Sequence, residues 1–174
     1  GTGLTDHHAL TIAVLTSRQD DVELVNKTLR DAGHPAHCLW VQNPEMLEKT
    51  LRESTLELIV LGCDSYPDSI RQVISQKEAF QPELPILAIQ LDVDDASILN
   101  AMEQGAKDLV SLRNADRLRV VVTRELRACR IERALNSTLL SASTYRKQLQ
   151  DYMEGSSSAI AYIQEGIITD ANRA

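Results

Sequence analysis

Aromatic side chains are scarce, at 3% of 174 residues: one Trp, one Phe and four Tyr. A surface that stacks nucleobases has almost nothing to be built from. Positive charge is short as well. The formal net charge is −7 and the pI about 5.1, which argues against a nucleic-acid partner. No apolar run approaches the roughly 18 residues needed to span a bilayer. The start of the chain carries no signal-peptide pattern. A cytoplasmic protein without membrane insertion is expected. The 7 glycines are scattered without a GxGxxG, so the phosphate cradle of a nucleotide-binding enzyme is missing. The three cysteines, Cys38, Cys63 and Cys129, are far apart and form no CxxC. They read as reduced, mostly buried thiols. His34, His37 and Cys38 are close in sequence, but zinc needs a fourth ligand in fixed geometry. A turn before Pro35 and a strand edge account for them. Neither a metal nor another cofactor is expected.

The charge that is present is unevenly spread. Residues 1–112 hold 8 Lys+Arg against 18 Asp+Glu, a net of −10; residues 113–153 hold 9 against 4, a net of +5. An acidic body is followed by an arginine-rich segment. Within the body, strand and helix signals alternate. The apolar runs 11–15, 36–41, 56–61, 85–91 and 108–112 read as strands. Between them, Val22, Val25, Leu29 and Ala32 recur at helical spacing and Gly33 closes that helix. Asn43-Pro44 supplies a cap and a first helical residue. Pro67 opens a helix through about Lys77, and Asp92–Asp95 cap one that runs to Gln104. Strands apolar on both faces, joined by helices, predict an α/β fold: a five-stranded, parallel, doubly wound sheet. In such sheets function gathers outside the carboxyl ends of the strands.

The stretches Leu29-Arg30-Asp31-Ala32-Gly33, Glu57-Leu58-Ile59-Val60-Leu61 and Ala101-Met102-Glu103-Gln104-Gly105-Ala106-Lys107-Asp108-Leu109-Val110 resemble the response-regulator receiver family over residues 9–128. The resemblance implies phosphotransfer chemistry. An acidic pair after the first strand and an Asp after the third hold Mg²⁺, which neutralises the phosphoryl group in flight. A hydroxyl after the fourth strand and a Lys after the fifth read the phosphate. In this sequence the acidic pair falls on Thr16 and Ser17, the phosphoacceptor on Gly62 or, with a one-residue slip, on Cys63, the hydroxyl on Gln90 and the lysine on Leu112. None carries the required group. A degenerate receiver that works by docking and assembly is expected, and not an enzyme. The alternative is an active phosphorelay receiver using Asp64, two residues past the acceptor position. A small flavodoxin-like enzyme is a third reading, and it lacks its glycine-rich loop.

From Asn114 to about Met153 no Pro or Gly interrupts the chain, which permits a helix of about 40 residues. Its first turns should pack Leu118, Val121, Val122 and Leu126. Further on, Ala128, Ile131, Leu135, Thr138, Ala142, Tyr145, Leu149 and Tyr152 recur at alternating threes and fours. A stripe of that period suits a two-stranded coiled coil, so a homodimer is expected. A helix folded back on its own body is the other reading. Arg113, Arg117, Arg119, Arg124, Arg127, Arg130 and Arg133 lie along it, solvated, paired with Glu125 and Glu132, or facing the acidic body of a second chain. The last residues, 159–174, read as two strands around Glu165-Gly166, a hairpin signal. They look like the opening of a PAS domain. Residues 129–153 would then be a linker helix and 154–174 a truncated PAS start, which makes the chain a piece of a longer protein. With the stretch from Arg124 to Asn136, the arrangement resembles the N-terminal part of FimX-type GGDEF/EAL proteins, which bind cyclic di-GMP. That resemblance implies protein partners in a type IV pilus complex, a part in twitching motility, and a place at the cell pole. No residue here is expected to bind the nucleotide.

Overall fold

The computed structural model describes residues 10–163. Five strands, β1 (Leu10–Leu15), β2 (Ala36–Val41), β3 (Leu58–Gly62), β4 (Ile86–Gln90) and β5 (Asp108–Ser111), form one parallel sheet in the order β2-β1-β3-β4-β5. The helices are α1 (Gln19–Asp31), α2 (Leu47–Glu53, entered through a 3₁₀ turn at Pro44–Met46), α3 (Ile70–Phe80), α4 (Asp95–Glu103) and α5 (Ala115–Ile163). The expected α/β class, all-parallel sheet and long C-terminal helix are all present.

Period-two alternation along each strand feeds two cores. Leu10, Ile12 and Val14 of β1, Leu58 and Val60 of β3, and Leu87 and Ile89 of β4 pack with Val25 and Leu29 of α1. Leu118, Val121, Val122 and Leu126 of α5 complete that layer, as anticipated. The intervening residues Ala13, Leu15, Ile59, Leu61, Ile86 and Ala88 pack on the other face with Leu47 and Leu51 of α2, Val73 of α3 and Ala101 of α4. Both faces of β3 are dry, which is why its sequence reads as an unbroken apolar run.

Several boundaries differ from the sequence reading, each for a local reason. β3 begins at Leu58 and not Leu56, because the Leu56 N–H is taken by Gln81 Oε1 at 3.0 Å. The helix expected from Pro67 starts at Ile70, because Asp68 takes a left-handed φ of 65° that a helix cannot include. α5 does not stop near Met153. It continues through Gly155 to Ile163, so residues 159–163, read as the first arm of a hairpin, are helical. Helix propagation costs little once a long helix exists, and no proline stops it. The rest of that hairpin lies outside the described residues.

The chain divides into two compact units after Ile131. The first contains the sheet and its five helices as far as Ile131. The second, as far as it is described, is helical to Ile163.

Candidate functional site

Thr16 directly follows β1 and is fully buried. Its hydroxyl donates to Asp21 Oδ2 at 2.6 Å and accepts the Arg18 N–H at 3.1 Å. Ser65, in the turn after β3, lies 3.2 Å from the Thr16 hydroxyl and 2.9 Å from that of Ser17, and its oxygen accepts the Ser17 N–H at 3.1 Å. Trp40 closes the cluster from the end of β2, its indole N–H donating to the Thr16 carbonyl at 2.8 Å. Gly62 ends β3 against this cluster. A Cβ on it would stand 3.2 Å from both Cβ and Oγ1 of Thr16 and 3.4 Å from the Leu15 carbonyl.

The structure thus brings Thr16, Ser17 and Gly62 together, as their strand positions require. Gln90 and Leu112 do not join them. The Gln90 amide donates to the Asp92 carbonyl at 2.7 Å. Leu112 is half-buried against the core of the α1 and α5 side, while its N–H donates to the Gln90 carbonyl at 2.9 Å. Asp64 is exposed, and its Oδ2 accepts the Leu91 N–H at 2.7 Å. That bond ties the loop after β3 to the loop after β4. Ser111 adds a second tie, donating to the Leu91 carbonyl at 2.7 Å, and Arg113 reaches Asp92 at 3.1 Å.

This edge is rich in hydroxyls and poor in available charge. Oδ2 of Asp21 receives the Thr16 hydroxyl and Oδ2 of Asp64 receives a backbone N–H. Among the described residues, no three His, Cys, Asp or Glu side chains are grouped so that they could hold a metal ion. The donors here are mostly neutral hydroxyls, and they do not supply the grouped carboxylates by which a protein holds Mg²⁺. Beside Gly62, burial and then the neighbouring Asp64 charge push the Cys63 thiol up to about 11, so the nucleophilic thiolate is scarce at neutral pH.

Three participants were not apparent in the sequence. Asp21 reads as a helix N-terminal charge, and it does stand in the first turn of α1. It is nevertheless buried as the acceptor of Thr16. Ser65 and Trp40 meet Thr16 only through the fold. The arginines of α5 also find a partner outside their own helix. Arg117 holds both oxygens of buried Asp108 at 2.9 Å, and Arg124 adds a third contact at 3.2 Å while pairing with Glu125. Along the same helix Ala128 and Ala142 are exposed, and Ile131, Leu135, Tyr145, Leu149 and Tyr152 are between 46% and 71% exposed. Among the described residues no helix is long and apolar enough to cross a membrane.

No family model matches the sequence, and no curated protein matches it. Solved structures do. NtrX from Brucella abortus, in complex with ADP, matches with a TM-score of 0.61 and 22% identity over 75% of this chain, which spans 29% of that protein's length. The signal receiver domain of a putative LuxO repressor protein from Vibrio parahaemolyticus matches with a TM-score of 0.61 and 17% identity, covering 73% of this chain and 97% of that one. A putative pilus assembly-related protein from Burkholderia pseudomallei matches with a TM-score of 0.57 and 15% identity, over 69% and 91% of the two chains. At these identities the likeness is one of fold: the five-stranded parallel sheet and its helices have the fold of the response-regulator receiver domain.

Proposed function

We propose that this chain is a receiver-fold module that does not accept a phosphoryl group and acts by self-association and protein docking. The observation that carries the reading is Gly62. The position that the receiver resemblance gives to the phosphoacceptor has no side chain, and a Cβ there would crowd Thr16 at 3.2 Å. Thr16 and Ser17 stand where an acidic pair is required, and Leu112 where a lysine is.

In this reading residues 9–128 are the receiver and 129–153 a linker helix, and α5 pairs two chains from the receiver's last residue onward, through Ala128, Ile131, Leu135, Ala142, Tyr145, Leu149 and Tyr152. The sequence that follows α5, whose described part ends at Ile163, begins a PAS domain. The module serves a cytoplasmic bacterial cyclic di-GMP signalling protein of type IV pilus control, placed at the cell pole. The resemblance of residues 124–136 to the FimX-type connector supports that setting. So does the receiver fold of a protein described as pilus assembly-related.

The test is incubation with acetyl phosphate and Mg²⁺, read by intact mass and by Trp40 fluorescence. Trp40 suits this because it is the one Trp of the chain and is bonded to Thr16 beside Gly62. Unchanged mass and emission are expected. A stable phosphoryl adduct lost in Asp64→Asn would establish the opposing reading, an active receiver that uses Asp64.

A further inference from the structure

Two exposed faces of the first unit match each other in charge and spacing. The first is a groove of about 670 Å³ between the C-terminus of α1 and α5. Ala32, Thr123 and Ala128 give it a small-residue lining, Val120 and Ile131 are its large apolar side chains, and Arg119, Arg124 and Arg127 against the single carboxylate of Asp31 leave it net basic. Val120, Arg124, Arg127 and Ile131 follow at steps that keep them on one face of the helix. Arg124 is engaged by Glu125 and Asp108, whereas Arg119 makes a long 3.7 Å contact to exposed Asp116 and lies within the electrostatic reach of Asp31, itself bonded to Lys27. Arg119 and Arg127 thus present charge to solvent.

The second face is on α4. Leu99 and Met102 are 58% and 49% exposed. Asp95, Leu99, Met102 and Glu103 share one side of the helix, and α4 contains no Lys or Arg. Asp95 and Glu103 are both exposed. The two helices carry the same arrangement with opposite charge. Asp95 and Glu103 are eight residues apart, as are Arg119 and Arg127, a rise of about 12 Å in each case. The nine residues of α4 rise about 13.5 Å, within the roughly 16.5 Å between Val120 and Ile131.

We infer that α4 of a second copy of this chain docks in the α1/α5 groove. Leu99 and Met102 enter between Val120 and Ile131, while Asp95 and Glu103 meet Arg119 and Arg127. A groove-to-groove contact is disfavoured, because it sets arginines against arginines. The contact joins two different surfaces, so it is head-to-tail and builds chains or rings rather than closed pairs. It rests on the receiver unit; it shares Ala128 and Ile131 with the α5 seam proposed above and does not use that seam's residues from Leu135 onward.

The test uses the full chain carrying Leu135→Asp and Leu149→Asp, which removes the seam and leaves the receiver unit untouched. Sedimentation velocity at low salt should show concentration-dependent growth that high salt suppresses. Adding Arg127→Glu or Glu103→Lys should each weaken association about tenfold or more, because attraction becomes repulsion. Mixing these two variants should restore assembly, since each keeps the half the other has lost. Far-ultraviolet circular dichroism verifies that both are folded. A seam-less parent that stays monomeric overturns the inference. So does a Glu103→Lys variant that assembles like its parent, as in a groove-to-groove contact, or a mixture that does not pair. A failed seam alone leaves all of these outcomes readable.

Discussion

Thr16 and Gly62 divide one small space between them. Because the contacts at 3.2 Å are with Cβ and Oγ1 of a buried, hydrogen-bonded Thr, the neighbour cannot easily give way. Gly62→Ala should therefore cost about 1–3 kcal/mol in chemical denaturation by overpacking, although the backbone there needs no glycine. Asp108 makes a second residue-scale prediction. Burial raises its carboxyl pKa, but hydrogen bonds from Arg117 and the Leu109 N–H and the Arg117 charge outweigh that and hold it below the ordinary value. A carboxyl depressed in the folded state stabilises above its unfolded pKa, about 3.9, and loses that contribution as pH falls through the lower folded value. Asp108→Asn should thus cost about 1.5 kcal/mol at neutral pH, the low end for charge-assisted bonds because both arginines are partly solvated. The deficit should fade in melts taken below about pH 4.

Elements are positioned by a few residues at their ends. α4 starts in a capping box, with Asp94 accepting the Ser97 N–H at 2.8 Å and the Ser97 hydroxyl accepting the Asp94 N–H at 2.9 Å. Hydrogen bonds to the carboxylate, from the Ser97 N–H first and then the Ser97 side chain, hold the Asp94 carboxyl below its usual range. The helix leaves through Gly105 at a φ of +117°, where a Cβ would also lie 2.8 Å from Ile74 Cδ1. Gly105→Ala should destabilise by about 1–3 kcal/mol, and Gly105→Ala with Ile74→Val should recover only part, because the backbone strain remains. Thermal melts of the two variants separate strain from crowding. The sequence marked this exit, since a Gly after a periodic apolar segment is a helix stop. It could not mark the late start of α3, which depends on Asp68 adopting a left-handed turn.

For the whole molecule, the seam on α5 predicts a dimer whose assembly light scattering can follow. Leu135→Asp with Leu149→Asp should shift the chain toward monomer by about tenfold or more in dissociation constant, since each buries a charge in an apolar seam. High salt should weaken arginine contacts with acidic surfaces and leave the apolar seam itself little changed. A strict monomer at micromolar concentration in the parent would remove the seam.

The sequence by itself determined the strands, the order of elements and the side chains at each strand end, because these follow from period-two and period-3.6 patterns and from which residue follows a strand. Gly62, Thr16 and Ser17 were legible at that level. Only the tertiary structure decided what those positions touch. Asp21 turns inward to Thr16, Ser65 and Trp40 close over it, and Asp64 is tied to the loop beyond β4. Asp108 is neutralised by arginines 9 and 16 residues away. Local sequence fixes backbone preference over a few residues. Contacts between the ends of parallel strands join residues tens of positions apart, and their partners are chosen by sheet order and register.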